Sequence, residues 1–153
     1  MIKSHEIIAT FFYSGYLRPA SGTWGTLAAL PLCLFVTHQF GVAGICIGTI
    51  ILFLIGLWAS QKHMNTIQKH DPSEIVIDEA AGMMVACLPL TLSFDWVTII
   101  ACFALFRLFD AVKKGPVGWL DKNVNGVLGV MIDDIAAGLM TAIVITGIIK
   151  WMI

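Results

Sequence analysis

Positions 19–61 contain no Asp, Glu, Lys or Arg. One apolar crossing of a bilayer takes about 20 residues, so this interval has room for two crossings and a tight connection. The rest of the chain agrees: only 12% of the 153 residues are charged and the mean hydropathy is +0.88. A soluble domain carries about twice that share of charge. The sequence therefore predicts an all-α integral membrane helical bundle, read as one domain over residues 1–153.

The apolar runs predict about five hydrophobic helices and an N-terminal interfacial helix. Polar residues at Lys3, Glu6, Thr10 and Ser14, opposite Ile7, Ile8, Phe11 and Phe12, predict that amphipathic helix over residues 1–16. Two spans follow over 27–40 and 42–60, joined near Thr37-His38-Gln39, with Pro31 kinking the first. A third run covers 80–94 and a fourth 96–109, both short for crossing at roughly 21–23 Å. A polar loop is expected over 110–125 and a fifth span over 135–149. With the N-terminus in the cytoplasm, all nine Lys and Arg except Lys150 fall on the cytoplasmic side. Cys33, Cys46, Cys87 and Cys102 lie singly in apolar runs, as small buried hydrophobes do. No internal repeat stands out.

The stretch D-P-S-E-I-V-I-D-E-A-A-G (71–82) sets four acids against an uncharged run. Asp71 as N-cap, Pro72 at the first helical position and Glu74 closing a capping box form an ordinary helix start. Asp78 and Glu79 have no such role: adjacent acids at the mouth of an apolar helix repel unless a cation, a proton or a basic partner offsets them. A second acidic stretch, F-R-L-F-D (106–110), places Arg107 and Asp110 one turn apart. A third, G-V-M-I-D-D-I-A-A-G (129–138), sets Asp133 and Asp134 at the expected start of the last helix, where capping alone could explain either acid. In the predicted topology all three acidic helix ends meet at the cytoplasmic surface. Carboxylates without Cys or His at ligand spacing suit a hard cation such as Mg²⁺. The R-P-A-S-G-T-W-G-T-L segment (18–27) reads as a small-residue loop before a helix, able to offer amides and hydroxyls to an oxyanion.

Taken together, S-G-T-W-G-T-L (21–27), E-I-V-I-D-E-A-A-G (74–82), F-R-L-F-D (106–110) and the block at 129–138 resemble the phosphatidylglycerophosphatase A family over nearly the whole chain. Two departures stand out. Lys113-Lys114-Gly115-Pro116 replaces a common Lys-Pro-aromatic-Pro, and Gly25-Thr26-Leu27 replaces Gly-Ser-Leu. The resemblance implies a bacterial inner-membrane enzyme that uses Mg²⁺ to remove the terminal phosphate of phosphatidylglycerophosphate, its lipid substrate, at the cytoplasmic face. Membrane lipids are its expected surroundings, and nucleic acid is not an expected partner. Asp78, Glu79, Asp110, Asp133 and Asp134 are the expected metal ligands, with Asp78, Asp110 and Asp134 catalytic. Arg18, Ser21, Thr23, Arg107 and Lys113 are expected on the phosphate. The alternative is a cation-binding transport or structural subunit with the same carboxylate cluster. Short spans and acids confined to one side disfavour it, because a conduit needs polar groups through the membrane depth.

Overall fold

The computed structural model describes residues 3–69, 72–112, 116–124 and 126–152, and regular structure among them is helical throughout. The chain opens with α1 (Ser4–Ala9), far shorter than the expected 16-residue helix. The Thr10 hydroxyl donates to the Glu6 carbonyl and accepts the Tyr13 N–H, and Phe11, Phe12 and Tyr13 take left-handed backbone angles. Those angles end the helix. Instead of lying free as an interfacial helix, α1 buries His5 and Ala9, with Thr66 3.4 Å from the His5 ring.

A 3₁₀ turn (Ser14–Tyr16) leads to α2 (Ser21–Ile67). Straight, α2 would run about 70 Å. It folds back on itself. A Cβ placed on Gly25 would strike Val76, and one placed on Gly56 would come within 3.3 Å of Ile77, the next residue along. The reversal is at Gly41, whose φ of 56° and ψ of −143° are open to glycine and strained for other residues. The two expected spans are therefore the arms of one hairpin. Their joint lies at Gly41, just after the predicted 37–39, and the departure from helical angles is there rather than at Pro31.

Along both arms small residues point inward and large ones outward. Gly25, Ala29, Cys33, Gly56 and Ala59 are buried, while Phe35, Phe40, Ile47, Ile50 and Leu54 are exposed. Water would select against that arrangement, whereas lipid permits it and close helix approach favours it. Two helices are long and apolar enough to cross a membrane, α2 and α6 (Gly126–Met152). The fuller expectation of five spanning helices is thus reduced to two candidates among the described residues.

Three shorter helices complete the order. Between the hairpin and α6 lies α3 (Ile77–Ala86), buried on nearly every side. It begins with Val76 as N-cap, so the expected capping box at 71–74 does not start it; Asp71 itself lies outside the described residues. It also stops early. Pro89 lacks an N–H and crowds the carbonyl four residues back, so the chain tightens into a 3₁₀ turn (Leu88–Thr91) instead of helix to Phe94. At ten residues α3 is about 15 Å long, half a bilayer core.

Next comes α4 (Trp96–Val112), capped by Asp95, which accepts the Thr98 N–H at 2.9 Å and the Thr98 hydroxyl at 2.8 Å. Hydrogen bonds from Ser93 and Thr98 hold the Asp95 carboxyl down at about 2. The expected polar loop at 110–125 instead contains the end of α4 and the helix α5 (Pro116–Asn123). Since α6 begins at Gly126, Asp133 and Asp134 lie two turns inside it and cannot be caps.

The central packing event is the contact of α3 with α6. A Cβ on Gly138 would lie 2.3 Å from the Gly82 carbonyl oxygen, and one on Gly82 would lie 2.6 Å from that of Asp134. Asp78 lies beside Asp134, and further along both chains Gly138 meets Gly82 and Val85, so the helices cross in the same direction, backbone against backbone. Each glycine sits four residues after an acid, in D-E-A-A-G (78–82) and D-I-A-A-G (134–138). That five-residue near-repeat, unnoticed in the sequence, is what sets Asp78 opposite Asp134.

Candidate active site

Three helices bring the acids together. Asp78 and Glu79 lie in the first turn of α3, Asp134 two turns into α6, and Asp110 near the end of α4. One carboxylate oxygen from each of Asp78, Glu79 and Asp134 falls within 4.8 Å of the others. Asp110 stands to the side, close enough for its charge to act on Asp78. Asp133 is buried one residue earlier, outside the group of three but close enough for its charge to act on Asp78.

The first block of the sequence forms the wall of this cluster. It is the opening of α2 itself, not the loop expected there. Gly22 lies so close that a Cβ would be 2.2 Å from Glu79 Oε1 and 2.8 Å from an Arg107 nitrogen. Thr26, fully buried, donates its hydroxyl to the Gly22 carbonyl at 2.8 Å and lies 3.5 Å from Arg107 Nη1. Arg107 pairs with Asp110 and reaches Glu79 at 3.8 Å. Gly22, Thr26, Gly82 and Gly138 are site-forming residues that charge and spacing did not single out; the small-residue blocks around the acids were the available signal.

Of the residues expected on phosphate, Ser21 and Thr23 are half-buried in the first turn of α2. Arg18 is exposed three residues earlier and forms no ion pair among the described residues. Arg107 is engaged by the acids, and Lys113 lies outside the described residues. Glu74 is 4.0 Å from His63, away from the cluster.

Burial pushes the Asp78 carboxyl up to about 6 and Glu79 well above the ordinary range, where the charge of Asp78 adds to the effect. Buried acids this close need something positive, and Arg107 alone is one charge against several. Glu79 Oε2 is buried without a hydrogen-bond partner among the described residues. Oxygen donors only, one of them uncommitted, fit a hard divalent cation.

A pH dependence follows for the cation-free protein. Between the unfolded value of 3.8 and about 6 the native Asp78 holds a proton that the unfolded chain has released. Stability therefore falls as pH rises through that window. The opposite contribution of Asp95, between about 2 and 3.8, is already complete below it. In chelator the melting temperature should be higher at pH 5 than at pH 7, and Asp78→Asn should flatten the difference. A melting temperature that rises from pH 5 to 7 in chelator would contradict this electrostatic reading.

These features define a helical protein in which membrane-length helices surround a buried carboxylate cluster at one end of the bundle. The profile of the phosphatidylglycerophosphatase A family matches residues 7–149, and the chain belongs to that family. It is 37% identical over 153 residues to phosphatidylglycerophosphatase A of Haemophilus influenzae, covering all of this chain and 93% of that one. It is 34% identical over 145 residues to phosphatidylglycerophosphatase A of Escherichia coli, covering 93% and 81%. A Bacteroides thetaiotaomicron protein, provisionally named a phosphatidylinositol-3-phosphatase, is 35% identical over 152 residues, covering 96% and 94%. No solved structure matches significantly.

Proposed function

We propose that this chain is a Mg²⁺-dependent lipid phosphatase that hydrolyses the terminal phosphate of phosphatidylglycerophosphate to give phosphatidylglycerol. We further propose that it forms one membrane-embedded domain of the bacterial inner membrane, with its site at the cytoplasmic face. The observation that carries the reading is the Asp78–Glu79–Asp134 group. Family membership adds the substrate class. Arg18 and Lys62 lie toward the end of the bundle that holds the acids, and Lys150 is near the other end of α6, which supports the proposed sidedness.

A phosphomonoester is doubly anionic near neutral pH, so bare carboxylates would repel it. Asp78, Glu79 and Asp134 would hold the divalent cation, with Asp110 and Asp133 at its border. When bound, Mg²⁺ supplies charge neutralisation and polarisation of the phosphoryl oxygens. The amides and hydroxyls of Ser21 and Thr23 in the first turn of α2 and the Arg18 guanidinium would take the phosphate charge, with Lys113 assigned from its place in the sequence alone. Hydrolysis breaks the bond between phosphorus and the lipid oxygen. The water oxygen bonds to phosphorus as that bond breaks, its proton passes to a carboxylate of the group Asp78, Asp110 and Asp134, and the leaving lipid oxygen takes a proton from the same group to become the alcohol.

The test is phosphate release by purified protein from a panel of phosphatidylglycerophosphate, phosphatidylinositol 3-phosphate and phosphatidic acid, with Mg²⁺ and in EDTA. Release from phosphatidylglycerophosphate should exceed the others and stop in EDTA. Full turnover in a verified metal-free preparation would overturn the carboxylate–cation scheme. Preference for the inositol lipid would overturn the substrate.

A further inference from the structure

We propose that Arg107 is a positioning residue: a largely covered cation that fixes Glu79 and Asp110 for the reaction, rather than a ligand of the substrate phosphate. The proposal rests on the phosphatase reading above, but its geometry stands apart from any substrate. The guanidinium is largely covered, with 19% of the side chain exposed, and its Nη1 is shared among Asp110, Glu79 at 3.8 Å and Thr26 at 3.5 Å. Nε is buried with no hydrogen-bond partner among the described residues. A phosphate-seizing arginine keeps its donors for the ligand, whereas here Nη1 is engaged by Asp110, Glu79 and Thr26 and Nε is buried.

The surroundings are shaped to keep it there. The Thr26 hydroxyl donates its proton to the Gly22 carbonyl, leaving its lone pairs toward Arg107. Gly22 has no side chain, and a Cβ there would lie 2.8 and 3.1 Å from the two terminal nitrogens. Segments from α2, α3 and α4 that are far apart in sequence thus converge on one guanidinium. Lysine would keep the charge but not the planar, pre-organised group that sets Nη1 among Glu79, Asp110 and Thr26. Without the bridge, Glu79 and Asp110 would repel each other and swing away from Asp78 and Asp134.

The experiment compares Arg107→Gln, Arg107→Lys and Arg107→Gln/Asp110→Asn in two measurements. The first is the melting temperature in chelator, which involves no substrate. Arg107→Gln should melt well below wild type, because truncating one side of a buried pair leaves charge uncompensated. The double variant should melt at or above the single one, because one of the stranded acids is gone. Arg107→Lys should fall between Arg107→Gln and wild type. The second measurement is turnover of phosphatidylglycerophosphate. A positioning role predicts kcat down by about 100-fold with KM changed by less than about threefold. Unchanged melting, with KM raised about tenfold or more and kcat retained, would make Arg107 a phosphate ligand and sink the proposal. Should no lipid be hydrolysed at all, the phosphatase reading fails, while the melting comparison still decides whether Arg107 clamps the acids. If Arg107→Gln does not fold, Arg107→Lys and Thr26→Val are read the same way.

Discussion

Asp78→Asn should cut phosphate release by about three orders of magnitude and at the same time raise the melting temperature of the cation-free protein. The two effects share one cause. Asp78 is 5% exposed, beside Glu79 and within reach of the charges of Asp110 and Asp133. Its raised pKa, about 6 against 3.8, means that ionising it at neutral pH costs the empty fold about 3 kcal/mol. Asparagine removes that cost while keeping shape and the α3 first turn. It also removes an anionic oxygen from the three that face one another, and losses of a group acting only in the transition state appear in kcat. A control separates this from damage to the fold. Asp95→Ala removes the cap of α4 at the opposite end of that helix from Asp110, so it should lower the melting temperature and leave turnover per folded molecule near wild type. If Asp78→Asn retained wild-type turnover, or if it melted lower than wild type in chelator, the cluster would be structural.

The acids themselves were legible because charge in an apolar sequence is costly enough to demand a reason. The sequence gathers Asp78, Glu79, Asp110, Asp133 and Asp134 on the strength of that cost and of the predicted topology, and the structure sets one oxygen each of Asp78, Glu79 and Asp134 within 4.8 Å of one another. The depth of the acids was not legible. Asp133 and Asp134 look like a helix start because two acids stand before an uncharged run to Ile149, yet α6 begins at Gly126 and they lie about 12 Å along it. The end of α3 was missed for a different reason: apolar character continues to Phe94, but Pro89 interrupts the hydrogen-bonding that a helix requires. The hairpin was legible as a pair of spans, but its turn was misplaced and its arms reach beyond 27 and 60, to Ser21 and Ile67. A single glycine at φ 56° reverses the chain, and local polarity had pointed to the preceding His-Gln instead.

The roles of Arg107 and Gly22 required three-dimensional information. From spacing, an arginine one turn before Asp110 is as able to meet a phosphate as to pair with the acid. The approach of α2 puts Gly22 and Thr26 against the guanidinium, which no spacing in the sequence foretells. Likewise the glycines of D-E-A-A-G and D-I-A-A-G read as generic close-packing residues. Their common offset from an acid becomes meaningful once α3 and α6 are seen to cross there.

Gly138→Ala should be the most damaging substitution outside the charged residues, lowering turnover by about 100-fold or more and lowering the melting temperature as well. A helix interior ordinarily gains about 1 kcal/mol when alanine replaces glycine. Here the new Cβ would lie 2.3 Å from the Gly82 carbonyl oxygen and 3.1 Å from Val85 Cβ. The first of those is backbone, so no rotamer change relieves it, and α3 and α6 must separate by about 1 Å. Overpacking of this kind costs about 1–3 kcal/mol, which outweighs the propensity gain. The catalytic effect is larger because Asp78 and Asp134 ride on the two helices that move apart, and a displacement of about 1 Å in a reacting group can cost 100-fold. Gly82→Ala should behave similarly, since its Cβ would meet the Asp134 carbonyl oxygen at 2.6 Å and the Phe106 ring at 2.7 Å. Gly147→Ala is the matched control: it lies on the same α6, nothing is within 4 Å of its Cβ position, and it should keep full turnover and melt at or slightly above wild type. Turnover, cation half-saturation and melting temperature measured on the three variants decide the matter. If Gly138→Ala held Mg²⁺ and turned over like Gly147→Ala, the close crossing of α3 and α6 would not be what sets the distance between Asp78 and Asp134.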